Sequence, residues 1–265
     1  MTKKIILRGV ELLAIVMLCA GAMGAQEPIE IYPGDPRLAG AEIEAHSATW
    51  RFVVIQNGSE TEAGIFEREI DLVDHTADEP ALLVRWHVQF PGRSALDIYY
   101  LDRETLGQIA RYQTGSSGIW SVYQHGDRLR GTYTRRDGEP VVFDAEVPRG
   151  VFNSAMLDII IARLQLEESE SVRVPVFNAS TQTVNENPVA WITLTVERFE
   201  TVRLANGEVF ETRVVQLSGP GRNQRLWVAG RAPFLLRRDI LDDDGTPTAG
   251  WRARCAGDLD DSESQ

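Results

Sequence analysis

Cysteine is almost absent from this chain. There are two in 265 residues, Cys19 and Cys255. Cys19 lies in the amino-terminal apolar run, so a chain cleaved beyond it keeps one thiol and can form no internal disulfide. Positive charge is also scarce: 27 Lys and Arg face 39 Asp and Glu, a formal net charge of −12. That balance excludes a broad phosphate-binding surface, so neither nucleic acid nor an anionic membrane surface is an expected partner. Catalytic motifs are missing too. The four histidines, His46, His75, His87 and His125, form no HExxH and no i, i+4 helical pair. No G-x-S-x-G elbow occurs. Gly219-Pro220-Gly221 has no helix behind it and cradles no phosphate. Asp242-Asp243-Asp244-Gly245 is consecutive, without the alternating ligands and distant glutamate of a calcium loop. No catalytic residue, metal or cofactor is therefore expected, and the chain reads as a non-enzyme. Arg128, Arg130, Arg135 and Arg136 are the one basic cluster, and they sit where solvated hairpin positions are expected.

Beyond the first 20 residues there is no long hydrophobic run, so no transmembrane anchor is expected after export. The first residues have the layout of a secretory signal: Lys3, Lys4 and Arg8, then the apolar run Leu12 to Ala20, then small residues at Ala20-Gly21-Ala22 and Ala22-Met23-Gly24. Residues 1–25 are read as a signal peptide, and the mature chain as periplasmic or extracellular in a bacterium. Leu18 before Cys19 is too large for lipoprotein processing.

What is present is period-two alternation. Trp50, Phe52 and Val54 begin it, and Asn57-Gly58 follows as a tight hairpin turn. The clearest strand puts Leu82, Val84, Trp86, Val88 and Phe90 on one face and Leu83, Arg85, His87 and Gln89 on the other. Leu96, Ile98 and Tyr100 are expected to continue the buried face. Further strands are read at 107–114, 119–124, around Leu129 and Tyr133, and at 141–147. After a helix come strands at 172–177, 190–202, 209–217, 225–228 and 237–241. One β-rich domain, 26–250, is expected, with an acidic disordered tail at 251–265.

The exception is VFNSAMLDIIIARLQL, Val151 to Leu166. Leu157, Ile160, Ile161 and Leu164 fall at i, i+3, i+4, i+7, which predicts a helix over about 153–166, capped by Asn153 or Ser154. Met156 and Ile159 widen the apolar surface. Ser154, Asp158 and Gln165 leave a narrow polar stripe, so replacing Asp158 by alanine is expected to be mild. A helix apolar around most of its circumference must be surrounded. A wide antiparallel meander curls, because strands twist. The predicted fold is mainly β: a curled antiparallel meander, or half-open barrel, wrapped around one apolar helix.

The order of strands, capped apolar helix, and further meander ending at Leu226-Trp227-Val228 resembles uncharacterised bacterial envelope families of unknown function. The likeness runs over 101–239, including Val151-Phe152-Asn153 at the helix entry and Asn206-Gly207-Glu208 at a hairpin. The general shape is similar to the half-open barrels of periplasmic lipoprotein carriers and their outer-membrane receptors. The resemblance implies an envelope location and an apolar groove between sheet and helix. It transfers no functional residue.

The expected function is that of an exported non-enzymatic envelope protein binding an apolar ligand, such as a lipid, or an envelope protein partner in that groove. Leu157, Ile161 and Leu164 from the helix, and Val84, Trp86 and Val88 opposite, are the expected lining. Two alternatives stay open: a structural or assembly factor with a filled core, and a hydrolase whose site is assembled from distant residues. The export reading has a direct check. Intact mass of the secreted protein is expected to place the new amino terminus between Met23 and Gln26; a mass retaining Met1 to Ala22 contradicts it.

Overall fold

Along Glu79–Phe90, Leu82, Val84 and Trp86 are buried, while Arg85, His87 and Gln89 face the outside. That alternation repeats around a single sheet of 15 strands. The computed structural model describes residues 28–38, 42–76, 79–115, 118–136, 138–177 and 187–254. The strands are β1 Ile29–Glu30, β2 His46–Gln56, β3 Ser59–Thr76, β4 Glu79–Phe90 and β5 Arg93–Asp102. Next come β6 Gln108–Gly115, β7 Gly118–His125, β8 Arg128–Arg135 and β9 Pro140–Glu146. A short 3₁₀ turn, Ser154–Met156, leads into the helix α1, Leu157–Arg163. Then follow β10 Ser171–Phe177, β11 Val189–Arg203, β12 Val209–Gly219, β13 Arg222–Ala229, β14 Leu235–Leu241 and β15 Pro247–Ala253.

The sheet order is β1-β10-β11-β12-β13-β14-β15-β2-β3-β4-β5-β6-β7-β8-β9. Every pairing is antiparallel except β1 with β10. The sheet is open, with β1 and β9 at its edges. It rolls on itself nonetheless. Phe152 bridges to Val176 of β10, and the Val151 carbonyl accepts from the Gln108 N–H at the start of β6, 3.0 Å away. Beyond that point β7–β9 continue, and Trp120, Val122, Leu129 and Phe143 pack on Phe177 of β10. At the β2–β3 hairpin both Asn57 (φ 52°) and Gly58 (φ 78°) have positive φ, as a type I′ turn requires.

The helix lies inside the roll. Asn153 caps the 3₁₀ turn that leads into it: its Oδ1 accepts from the Ala155 N–H at 2.9 Å, and its Nδ2 donates to Gln108 Oε1 at 2.8 Å. Leu157, Ile159, Ile160, Ile161 and Leu164 are all at most 2 % exposed. Burying each contributes about 1.5–3 kcal/mol before ordering entropy is set against it. The helix is shorter than the pattern suggested, because Leu164 already has extended backbone (ψ 120°). Arg163 at its last turn donates to the Leu38 carbonyl at 2.8 Å.

Three expectations need correction. Asp158 is not on a solvated stripe: its carboxylate is buried and sits 2.7 Å from Arg68 Nη1, the two side chains being 3 % and 0 % exposed. Arg68 reaches inward from β3, stacks near Trp50 and Trp86, and donates to the Pro233 carbonyl at 2.8 Å. On β5 the inward residues are Ala95, Asp97, Tyr99 and Leu101, paired with Val88, Trp86, Val84 and Leu82. Leu96, Ile98 and Tyr100 therefore lie on the outer face. Periodicity could not choose, since both faces of this strand carry large apolar groups. Third, β15 extends through Ala253, and the Arg254 N–H donates to Thr49, so the barrel wall runs into the segment read as a tail. The signal region 1–25, Cys255 and 256–265 lie outside the described residues.

The Arg68–Asp158 pair makes the sharper helix prediction. Asp158→Ala leaves Arg68 buried and unpaired, which is expected to cost about 3–5 kcal/mol. Replacing both partners together, Arg68→Met with Asp158→Leu, is expected to recover most of that. Urea unfolding of the three variants is the check; a harmless Asp158→Ala contradicts the buried pairing.

Candidate functional site

At the amino-terminal end of the helix the packing stops short of filling the roll. A cavity of about 120 Å³ lies between Ala155 and the sheet. Phe66 of β3, Trp86 and Val88 of β4, and Asp97 and Tyr99 of β5 form one wall. Leu235 and Arg238 of β14 and Trp251 of β15 form the other. Each points inward because its strand alternates in register with its neighbours: Arg68 pairs with Trp86, Trp86 with Asp97, and Arg238 with Trp251. The aromatic wall extends to the rim. Phe52 meets Phe90 and Trp251 edge-on, as Phe66 does Trp251, with centroids 5.3–5.5 Å apart, and Phe52 and Phe66 are tilted against each other at 5.9 Å. Gly64 makes room for this, since a Cβ there would lie 2.7 Å from the Phe90 ring.

The polar members of the wall are held by few partners. Asp97 Oδ2 accepts from Tyr99 Oη at 2.7 Å and Gln113 Nε2 at 3.3 Å, with Arg111 Nη2 3.6 Å away. Burial raises the Asp97 pKa in spite of Arg111, and burial likewise raises that of Tyr99. Arg238 donates to Gln224 Oε1 from Nε at 3.0 Å and also from Nη2, and its guanidinium stacks on Trp251 at 4.4 Å. Loss of water, helped by the nearby charge of Arg222, pushes its pKa down to about 10. It remains a cation at neutral pH.

The residues expected to line a groove are divided by the structure. Trp86 and Val88 stand on the cavity wall. Leu157, Ile161, Leu164 and Val84 belong to the packed interior around the helix, each at most 2 % exposed. Sequence reasoning missed Asp97, Tyr99, Arg238 and Trp251. The first two were lost with the inverted face of β5. Trp251 was lost with β15, whose Pro247, Thr248 and Gly250 carry no strand pattern. The outer-face residues Arg85 and His87 are engaged by carboxylates: Arg85 by Glu69 and Asp71, His87 by Glu67. Arg128 and Arg130 pair with Asp144 across β8 and β9. Among the described residues, no three His, Cys, Asp or Glu side chains gather as metal ligands would.

A single open sheet curled around one buried helix, with a small aromatic cavity at its mouth, defines a β-barrel-like protein. The chain belongs to the DUF3108 family, a protein family of unknown function, whose model matches residues 48–248. Its fold is similar to that of a solved β-barrel-like protein of the domain of unknown function DUF1849 from Brucella abortus. The TM-score is 0.53 at 8% sequence identity, covering 81% of this chain and 97% of the other. A comparison with curated proteins finds no match.

The state of Asp97 can be read from stability. Its pKa is raised on folding, so the stability it supports is present below its unfolded pKa and is lost as pH rises through its folded pKa. Asp97→Asn does not titrate. Melting temperatures measured from pH 3 to pH 8 are expected to show wild type losing ground to this variant as pH rises. A gap that widens in favour of wild type contradicts the assignment.

Proposed function

We propose that this member of the DUF3108 family is an exported, non-enzymatic envelope protein that binds an apolar group of a ligand in the cavity at the barrel mouth. The observation that carries the reading is the cavity itself: about 120 Å³ left open among Phe66, Trp86, Val88 and Trp251 in an otherwise tightly packed interior. A well-packed domain leaves few voids larger than a water molecule. An apolar cavity of about 150 Å³ suffices to hold a benzene ring. At about 120 Å³ the site is somewhat smaller than that and suits the tip of an acyl chain, with the remainder of the ligand along the aromatic rim. Export rests on the basic and apolar layout of residues 1–25. The filled space along Leu157, Ile161 and Leu164 moves the ligand from the helix flank to the helix amino terminus.

An assembly factor is the second reading. Its support is the outer face of β6–β9, where Tyr112, Ile119, Tyr123 and Val142 are 45–67 % exposed. Calorimetric titration with octanol separates the two. Saturable binding is expected, and Val88→Trp is expected to abolish it at an unchanged melting temperature, because the new ring occupies the cavity. By contrast, Leu164→Trp overpacks a filled core and is expected to lower stability by about 1–3 kcal/mol. No octanol binding by the parent protein sinks the ligand reading.

A further inference from the structure

The interior beside the cavity carries more positive charge than it can pair. Four guanidiniums face inward here: Arg68 on β3, Arg111 on β6, Arg222 on β13 and Arg238 on β14. Two carboxylates face them, Asp158 and Asp97. Asp158 is taken by Arg68 at 2.7 Å, and Asp97 stands 3.6 Å from Arg111. Arg238 hydrogen-bonds only the neutral amide of Gln224 and stacks on the Trp251 ring, with the charge of Asp158, already paired to Arg68, acting on it from beyond hydrogen-bond distance. Arg222 lies one inward position beyond Gln224 on β13. It is half-buried, and its guanidinium has no hydrogen-bond or ion-pair partner among the described residues. Its neighbours are cations: the charge of Arg111 bears on Arg222, and that of Arg222 on Arg238.

The outer face of the same strands is arranged differently. Asp239 there is paired with both Arg237 and Arg252, and Arg252 and Arg254 also meet Glu60 and Glu62. The deficit of anions is confined to the interior. It carries a cost, because a charge drawn even partly out of water favours a partner, and Arg222 and Arg238 are both half-buried. Arginine cannot escape that cost by losing its proton. Unpartnered donors point the same way. Beside the cavity, Trp86 Nε1, Trp251 Nε1, Arg68 Nε and Arg111 Nε are buried without a hydrogen-bond partner, against Asp97 Oδ1 as the unpartnered acceptor there.

Resting on the ligand reading above, we infer that the ligand is an anionic amphiphile whose apolar end fills the aromatic cavity and whose acidic headgroup is held by Arg222 and Arg238. Charge complementarity chooses the occupant. A neutral hydrophobe leaves both guanidiniums unpaired, and a cationic one adds a further positive charge beside them. A carboxylate or phosphate supplies the missing acceptors, and guanidinium pairs with either in a two-pronged geometry. Asp97 disfavours the anion, but it is already engaged by Tyr99, Gln113 and Arg111.

Octyl phosphate, octanol, octyltrimethylammonium and inorganic phosphate, each titrated calorimetrically below any micelle concentration, test the inference. Octyl phosphate is expected to bind at least tenfold tighter than octanol. Arg222→Gln is expected to remove that advantage while leaving octanol binding unchanged and the melting temperature equal to or above that of the parent, since an unpaired charge is removed. Arg238→Gln, which also loses the Gln224 contact, serves as the second variant. Indole N–H resonances of Trp86 and Trp251 are expected to shift on binding, and that of Trp227 on the outer face to stay. Equal affinity for octanol and octyl phosphate overturns the headgroup assignment and leaves the cavity reading standing. Preference for octyltrimethylammonium overturns it in favour of Asp97 as anchor. Inorganic phosphate binding as tightly as octyl phosphate makes this an anion site without an apolar part. Failure of all four overturns the cavity reading as well.

Discussion

One buried ion pair ties the two halves of this architecture together. Asp158 is the buried polar residue of an apolar helix, and Arg68 is an inward cation of an apolar wall; each is tolerated in the interior only because the other is there. The pair sets the rotation and depth of the helix inside the roll. Pointing Asp158 at β3 turns Leu157, Ile160 and Ile161 into the remaining walls. The guanidinium, stacked near Trp50 and Trp86, then joins the helix to the aromatic side of the barrel. The cavity lies just beyond, where Ala155 is too small to reach Phe66, Val88 and Trp251. Its place follows from the helix's fixed register, and a helix free to slide would close it.

The sheet supplies the second constraint. Fifteen strands cannot stay flat, and the roll they make is wider than the helix fills. One end is sealed by Phe152, Val174, Val176 and the overlap of β7–β9 on Phe177. The other end is lined by aromatic rings with Arg238 level with Trp251, and by Gln224 and then Arg222 toward the β12–β13 turn. The interior thus changes character along its length, from packed aliphatic groups around the helix to aromatic and cationic groups at the mouth. A ligand with one apolar and one acidic end matches that gradient.

Much of the fold was legible in the sequence because it rests on local signals. The alternation of Leu82, Val84 and Trp86, the Asn57-Gly58 turn and the i, i+3, i+4 spacing of Leu157, Ile160 and Ile161 each depend on neighbours in the chain. The candidate site depends on residues brought together from β3, β4, β5, β14 and β15, and no local pattern records that. Two particulars hid it further. On β5 both faces hold large side chains, so Asp97 and Tyr99 read as outward. Asp158 read as a surface residue because a lone aspartate on a helix usually is one; its partner lies 90 residues away on β3. Arg222 and Arg238 look like ordinary strand arginines until the opposite wall shows that no carboxylate meets them.

The central claim is that the mouth of this barrel holds a ligand with an apolar end. Native mass spectrometry of the full-length protein, expressed in and purified from its own host without detergent, tests it most directly. The expected result is a one-to-one adduct on the folded chain, released on unfolding and recovered as an organic species, and absent from Val88→Trp prepared in the same way. A folded parent chain that carries no such adduct, and is indistinguishable from the cavity-filled variant, contradicts the account.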